Sequence, residues 1–427
     1  MAKGKRFQAP KGTRDLLPPA TGVWARVEET ARRVFALYGY GEIRTPLFEE
    51  TELFARGVGE TTDIVGKEMY SFLDKGGRQL TLRPESTAAV CRAYVEHGMQ
   101  SLPQPVRLFY VGPHFRYERP QKGRYRQFHQ IGAELVGGRG AESDVEILLL
   151  LVRFLRELGF TGLKILLNTV GDVASRTAYR EALREYLLPL RERLSEDSRR
   201  RLETNPLRIL DTKSAEEQEL LRGAPTLESS LTSVAADHFR RVLSSMEAFR
   251  LSYSVEPRLV RGLDYYTNTV FEIVSEGLGA QNAVCGGGAY ESMVEELGGP
   301  PTYGVGFAIG EDRLIEVLPA DSPARRKSPG PVLVTAVGKA SIEGGEGLEL
   351  VGLLEELRAA GVPCREAGSR GAKLFDLAEA LDAPAVVFLG EDELGSGSLS
   401  LRIVASREQS TLPRGEAIAR LAELFRT

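Results

Sequence analysis

Arg116, Glu118, Gln130 and Glu134 bring an arginine, two carboxylates and an amide into one stretch of chain. Arg116 and Glu118 are two apart, so on a strand they project to one face; Gln130 and Glu134, four apart, share a face of a returning strand. Such a surface suits a small zwitterion beside a phosphate, with arginine for the anion and Glu or Gln for an ammonium group or ring N–H. A salt-bridge ladder across an antiparallel pair uses the same residues, and on spacing alone it is the commoner arrangement. Arg261-Gly262-Leu263-Asp264-Tyr265-Tyr266 places a cation, a carboxylate and two phenols together, as a polar pocket floor would need, although tyrosines in such segments usually pack. Gly304–Arg313 (GVGFAIGEDR) is glycine-rich but has neither the Lys-Ser/Thr of a nucleotide loop nor a GxGxxG turn. Its small residues suit a strand packing against a helix that carries Arg313. Gly286–Gly288 marks either a close backbone approach to a ligand or a bend, and Cys285 beside it either a reactive thiol or a small buried filler.

The remaining chemistry-bearing residues are scattered. His97, His114, His129 and His238 have no metal-ligand spacing, and Cys91, Cys285 and Cys364 form no CxxC pair, so neither a structural metal nor a disulfide framework is expected. No Ser-His-Asp or Cys-His arrangement is suggested. The chain has 427 residues, 42% hydrophobic and 27% charged, which predicts two or three globular units. Its longest apolar run, Ile147–Val152, is far short of the ~20 residues that cross a bilayer. The basic N-terminus lacks the apolar core of a secretory signal. A reduced, cytoplasmic setting without membrane contact is the expectation. The net charge of −4 argues against nucleic acid only as an average. Arg119, Lys122, Arg124 and Arg126 form a basic loop facing no acidic residue, read either as solvated or as a nucleic-acid contact.

The elements that must position these residues follow from periodicity. Trp24, Val27, Ala31, Val34, Phe35 and Tyr38 predict a helix ending near Gly39. Glu42–Phe48 reads as extended, followed by a helix to Gly57, a strand at Gln79–Leu82 and a helix at Pro84–Glu96. Val106–Val111 and Phe128–Val136 predict a long hairpin with a Gly123 turn, and Asp144–Leu158 a helix capped near Ser143-Asp144. Residues from about 171 to 253 are strand-poor and predict a helical insertion; strands return at Thr269–Val274 and Tyr303–Ile309. Leu318–Pro331 reads as a linker. Beyond it, alternating strand and helix patterns predict a small α/β domain with a largely parallel sheet.

Order and wording together resemble one family. PHFRYERPQKGRYRQFHQIGAE is similar to the second class-defining motif of class II aminoacyl-tRNA synthetases in its histidyl form. LVRGLDYYTNTVFE resembles the segment specific to histidyl enzymes, and GVGFAIGEDRL the third class motif. PKGTRDLLP, RTPLFEETELFARGVGETTDIVGKEMY at 44–70, TLRPESTA, NPLRILDTK and GEDEL extend the resemblance over nearly the whole chain.

The resemblance implies an α+β catalytic domain (1–325) with an antiparallel sheet flanked by helices, the class II synthetase fold, carrying the helical insertion at about 171–253. A linker at 318–331 and a C-terminal α/β anticodon-binding domain at 332–427 would complete the chain. It implies activation of L-histidine by ATP with Mg2+ to histidyl-adenylate, transfer to the 3′ end of tRNA(His), and a homodimer with 44–70 at its interface. Arg116 and Arg261 match catalytic arginines on the α-phosphate; Glu118, Arg124 and Arg313 match further ATP contacts. Glu85, Thr87 and Gln130 match residues receiving the α-ammonium group, and Glu134 and Tyr266, with Tyr265 adjoining, those bonding the imidazole. Ser86 stands where the family usually has Gly, and Ala289 and Glu291 replace the usual Arg and Asp of GGGRYD. One relative in the family is catalytically silent, the regulatory subunit of ATP phosphoribosyltransferase. Such proteins lose parts of the hairpin motif and lack the C-terminal domain, whereas this chain has both.

Overall fold

The computed structural model describes residues 7–59, 62, 64–119, 124–212, 214–259, 263–275, 283–336, 346–368 and 372–426. The apolar stripe Trp24, Val27, Ala31, Val34 and Phe35 is the buried face of helix α1 (Ala20–Leu37). Strands β1 (Gly41–Glu42) and β2 (Phe48–Glu50) lead into α2 (Thr51–Val58), β3 (Tyr70–Leu73), β4 (Gln79–Leu82) and α3 (Thr87–Glu96). The hairpin is β5 (Val106–Phe115) and β6 (Gln127–Val136), followed by α4 (Ala141–Glu157) and β7 (Leu163–Thr169). A helical insertion then carries α5 (Val173–Leu187), α6 (Glu196–Thr204), α7 (Ala215–Leu220) and α8 (Ser233–Ala248). The chain returns to the sheet with β8 (Tyr253–Val255), β9 (Tyr266–Ser275) and β10 (Ala283–Tyr290). After α9 (Met293–Glu296) come β11 (Gly304–Gly310) and α10 (Glu311–Glu316).

Among the described residues, eight of these strands form one sheet in the order β1-β5-β6-β11-β10-β9-β7-β8. It is antiparallel except at its ends, where β1 lies parallel to β5 and β8 parallel to β7. Strands β2-β4-β3 form a small separate sheet. One face of the large sheet is sealed by α1 and α4, where Phe35, Ile147, Leu151 and Phe154 meet Phe109, Ile131, Phe271 and Phe307. Each such side chain contributes about 1.5–3 kcal/mol by leaving water. On the opposite face α2, α3 and α9 pack Phe54, Cys91, Tyr94 and Met293 against Val136, Val270 and Tyr290. The alternation of side chains along each strand therefore decides which residues are core and which can face a ligand.

Contact clustering separates Met1–Arg325 from Arg326–Thr427. The second unit comprises β12 (Val332–Ala336), α11 (Glu346–Ala359), β13 (Cys364–Glu366), α12 (Ala372–Ala380), β14 (Ala385–Leu389), α13 (Glu391–Ser396), β15 (Ser398–Ile403), β16 (Gln409–Pro413) and α14 (Arg414–Glu423). Its sheet runs β13-β12-β14-β15-β16. It is mixed, not largely parallel, because β15 and β16 form an antiparallel hairpin on β14. The first part of the expected linker belongs structurally to the first unit: Ser322 and Ala324 are buried, and Ser322 Oγ donates to Leu158 C=O at 2.6 Å.

Several local expectations change. Strand β5 ends at Phe115, so Arg116 and Glu118 do not share a strand face. Glu118 N–H instead turns back to Arg116 C=O at 2.8 Å. Gly286–Gly288 lie within β10, not in a bend. Helix α3 begins at Thr87, not Pro84, and α4 is preceded by Gly140 with no side-chain cap. Asp144, expected near the cap, is buried between His238 Nε2 at 2.8 Å and Tyr303 OH at 2.6 Å. Gly123 lies outside the described residues. Gly287 faces the sealed side, where an added Cβ would land on Gly306 C=O and 2.7 Å from the Phe271 ring. Backbone cannot yield there, so Gly287→Ala is expected to lower stability by about 1–3 kcal/mol in denaturant titration. An unchanged midpoint would contradict this packing.

Candidate active site

The open face of the sheet is floored by residues with almost no side chain. Gly304, Gly306, Ala308 and Gly310 alternate along β11, and Gly286 and Gly288 along β10. Register aligns Gly306 with Glu134 of β6 on one side and Gly288 on the other. An added Cβ at Gly306 would overlap the Glu134 carboxylate, and one at Gly288 would meet the Tyr266 ring at 2.7 Å. The glycines thus keep open a cavity of about 490 Å3.

Ten residues named from sequence line that cavity: Glu85, Thr87, Arg116, Glu118, Arg124, Gln130, Glu134, Tyr265, Tyr266 and Arg313. Arg261 lies outside the described residues. The salt-bridge ladder is excluded for Glu134, which is 1% exposed and accepts hydroxyls rather than a guanidinium. Thr87 Oγ1 donates to Glu134 Oε1 at 2.7 Å, and Tyr290 OH to Oε2 at 2.9 Å. Glu85, also buried, accepts Thr87 N–H at 2.7 Å and Ala88 N–H at 3.0 Å, closing the start of α3. Gln130 Oε1 is buried with no hydrogen-bond partner among the described residues. An unpaired buried acceptor costs about 1–3 kcal/mol, which a ligand N–H recovers.

Three of the named residues that line the cavity are arginines. Arg116 Nε donates to Pro84 C=O at 2.9 Å, which pins the stem of a side chain that lines the cavity. Arg124 pairs with Glu118 at 3.3 Å, so the basic loop does face an acid, contrary to its sequence reading. Arg126 stacks on Tyr117 at 3.7 Å and donates to Glu118 C=O. Lys122 lies outside the described residues. Arg313 stands in α10, one residue after Asp312, whose carboxylate accepts Arg14 at 2.7 Å and His129 N–H at 2.8 Å. The arginines are thus suited to phosphates, and the buried carboxyls to a small cation.

Comparison with known proteins follows this geometry. A family model described as histidyl-tRNA synthetase matches residues 12–314, and one described as an anticodon binding domain matches residues 332–424. The chain belongs to the histidyl-tRNA synthetase family. It is 47% identical over 413 residues to a histidine–tRNA ligase of Desulfitobacterium hafniense, covering 95% of this chain and 96% of that relative. It is 48% identical over 414 residues to one of Desulforudis audaxviator, covering 96% and 97%. The crystal structure of apo S. aureus histidyl-tRNA synthetase superposes with a TM-score of 0.80 at 33% identity, covering 98% of this chain and 100% of that one. The class II fold read from sequence, an antiparallel sheet flanked by helices with a helical insertion and a C-terminal domain of separate sheet, is the fold of this family.

The departures from the family pattern have local places. Ser86 Oγ is hydrogen-bonded to His114 Nε2 at 2.7 Å in the buried shell. Burial, then Arg83 and Arg116, hold His114 well below its ordinary pKa, so it is neutral. Ala289 faces the sealed core, and Glu291 accepts Asn268 Nδ2 at 2.9 Å. Sequence reasoning quoted the segment containing Tyr290 but gave that residue no role. Its place opposite Tyr266 on the glycine strand was the available signal. Tyr110, Arg208 and Glu272 also line the cavity and were not singled out. Cys285 is a buried filler at the cavity edge.

Burial dominates the electrostatics. It raises Glu134 from 4.5 to about 8 against the lowering effect of its two hydroxyl bonds. Burial likewise raises Glu311 to about 9; both its carboxylate oxygens are unpartnered among the described residues, and Glu28 and Asp312 add repulsion. A carboxyl whose folded pKa is raised contributes its full stability below about 4.5, and that contribution is lost as pH rises through the folded value. Glu311→Gln should therefore gain Tm relative to the parent as pH increases from about 5 to about 9. Scanning calorimetry showing a constant difference over that window would refute the assignment.

Proposed function

We propose that this chain is a histidine–tRNA ligase that activates L-histidine with ATP and transfers it to the 3′ end of tRNA(His). The observation that supports it most is the convergence of the ten named residues, arginines and carboxyls among them, on one cavity. In this reading a histidine carboxylate oxygen bonds to the α-phosphorus of ATP as the bond to the β-phosphate oxygen breaks, releasing pyrophosphate. A ribose hydroxyl at the tRNA 3′ end then attacks the adenylate carbonyl, and AMP leaves.

Arg116 and Arg261 hold the α-phosphate, where negative charge accumulates in the first step; fixed donors aimed at that charge supply catalysis without reorganisation. Arg313 holds the outer phosphates, and Glu118 and Arg124 contact the nucleotide. Magnesium, a hard cation, would take oxygen donors at this site. Among the described residues no cluster of His, Cys, Asp and Glu forms a metal cage, while Glu118 and Glu272 are oxygen donors at the cavity. When bound, it neutralises phosphate charge.

Glu85, Thr87 and Gln130 receive the α-ammonium group; the orphan Gln130 oxygen is suited to it. Glu134 and Tyr266 hydrogen-bond the two imidazole nitrogens, with Tyr265 beside them. Sites that bond a polar substrate reject analogues lacking it by ~10⁴–10⁵, which removes the need for a separate editing site. The regulatory-subunit reading is disfavoured by the anticodon-binding match at residues 332–424.

A homodimer is part of this proposal. Phe48 and Phe72 are 51% and 44% exposed and lie edge-to-face across the small sheet, 6.4 Å apart. Exposed aromatic rings of this kind suit contact with a second copy of the chain. Sedimentation velocity should show a dimer that Phe48→Asp/Phe72→Asp converts to monomer; an unaltered coefficient would remove this face from the interface. The activity itself is tested by ATP–pyrophosphate exchange with each amino acid in turn, then by tRNA charging. Exchange dependent on histidine alone is expected. Folded protein without exchange would sink the ligase reading and leave the regulatory subunit.

A further inference from the structure

The segment bearing Tyr265 and Tyr266 is held from outside the cavity by the root of the helical insertion. Arg176, in the first turn of α5, donates from Nη1 to Tyr266 C=O and from Nη2 to Asp264 C=O, both at 2.9 Å. Two backbone bonds join the same regions: Asn268 N–H donates to Gly171 C=O at 2.8 Å, and Val170 N–H to Asn268 C=O at 2.7 Å. Asn268 has φ of 48°, at the irregularity where β9–β10 pairing passes from Val270/Gly288 to Thr267/Ala289. A non-glycine residue keeps positive φ only where its surroundings fix it, and a bulge of this kind re-aims the neighbouring side chain. Tyr266 lies two residues before Asn268, on the strand end beyond this irregularity.

Tyr265 and Tyr266 are buried against each other, and Tyr265 OH donates to Thr87 Oγ1 at 3.5 Å. A second cavity of about 440 Å3 is walled by Tyr265, Asp264, Arg176, Arg180, Asn205 and Glu296. Tyr265 thus lines both cavities and has space on each side. The pair of carbonyls gripped by one guanidinium ties its backbone to α5, beside the Asn205 Nδ2 bond to the Asp264 carboxylate at 3.1 Å. Arginine suits this because its planar fork engages two acceptors in fixed geometry, whereas lysine is a single point donor. Arg176 lies one helical turn from Arg180, a like charge, so its placement is not explained by helix stability. It does not line the first cavity.

We propose that Arg176 is a positioning residue for histidine: through the Asp264 and Tyr266 carbonyls it sets the tyrosine pair against Glu134, making the insertion part of the amino-acid subsite. This rests on the ligase reading given above. The test is ATP–pyrophosphate exchange on the full-length protein, with histidine and ATP varied separately. Arg176→Ala is expected to raise the histidine KM by about 10- to 100-fold while the ATP KM stays within about twofold. Arg176→Lys should give an intermediate histidine KM. Combining Arg176→Ala with Tyr266→Phe should raise it less than the product of the single effects, because both act through one contact. Equal changes in both KM values, or additive effects of the pair, would overturn the proposal. Should the alanine variant not fold, a folded lysine variant with unaltered histidine KM would overturn it equally. Parent protein without histidine-dependent exchange removes the ligase reading and this proposal together; parent exchange with unaltered variants removes this proposal alone.

Discussion

Glu134 is an acid buried almost completely in the sheet face, and the rest of the site is arranged around that fact. Two hydroxyls, from Thr87 and Tyr290, bond its oxygens, yet burial still holds its pKa near 8. Hydroxyl bonds do not repay the loss of hydration that a nearby cation would. Empty, the site holds a carboxyl that resists ionising. A ligand bringing N–H groups and positive charge supplies what the protein withholds, and the orphan Gln130 oxygen lines the same cavity. Recognition here is a deficit built into the sheet face.

That deficit persists because Arg116, Arg124 and Arg313, which line the cavity, form no salt bridge with Glu85 or Glu134 among the described residues; the acid that Arg124 meets is Glu118 of its own loop. An arginine paired with Glu134 would have removed the reason to bind a cation. The long hairpin keeps Glu134 and Arg116 apart, with Glu134 near the far end of β6 and Arg116 beyond the end of β5.

Much of this was legible because motif residues lie at short spacings on elements with clear periodicity. Gln79–Leu82 is a strand with the boundaries expected from sequence, and Gln130 and Glu134 share a face because both sit in one uninterrupted strand. Other parts were not local. Arg116 and Glu118 looked like strand neighbours, but Arg116 N–H bonds Arg126 C=O and the chain turns before Glu118. Glycines 286 to 288 suggested a bend because nothing in their own segment shows that two flanking strands force them flat. The hairpin β15–β16 went unread although SLSLRI alternates, since the pattern before it suggested only parallel units. Arg176 carries no motif at all: its partners are carbonyls, which any sequence provides.

The glycine floor has a consequence for how such a chain can drift. Every single-base change from a glycine codon that yields another amino acid introduces a Cβ, and at Gly306 or Gly288 that atom meets a carboxylate or a tyrosine ring already in place. No gradual route leads away from those positions. The walls, built from long side chains with alternative rotamers, are open to small steps. Lineages of this fold are therefore expected to vary in how they hold their ligands long before they vary in what the ligands lie upon.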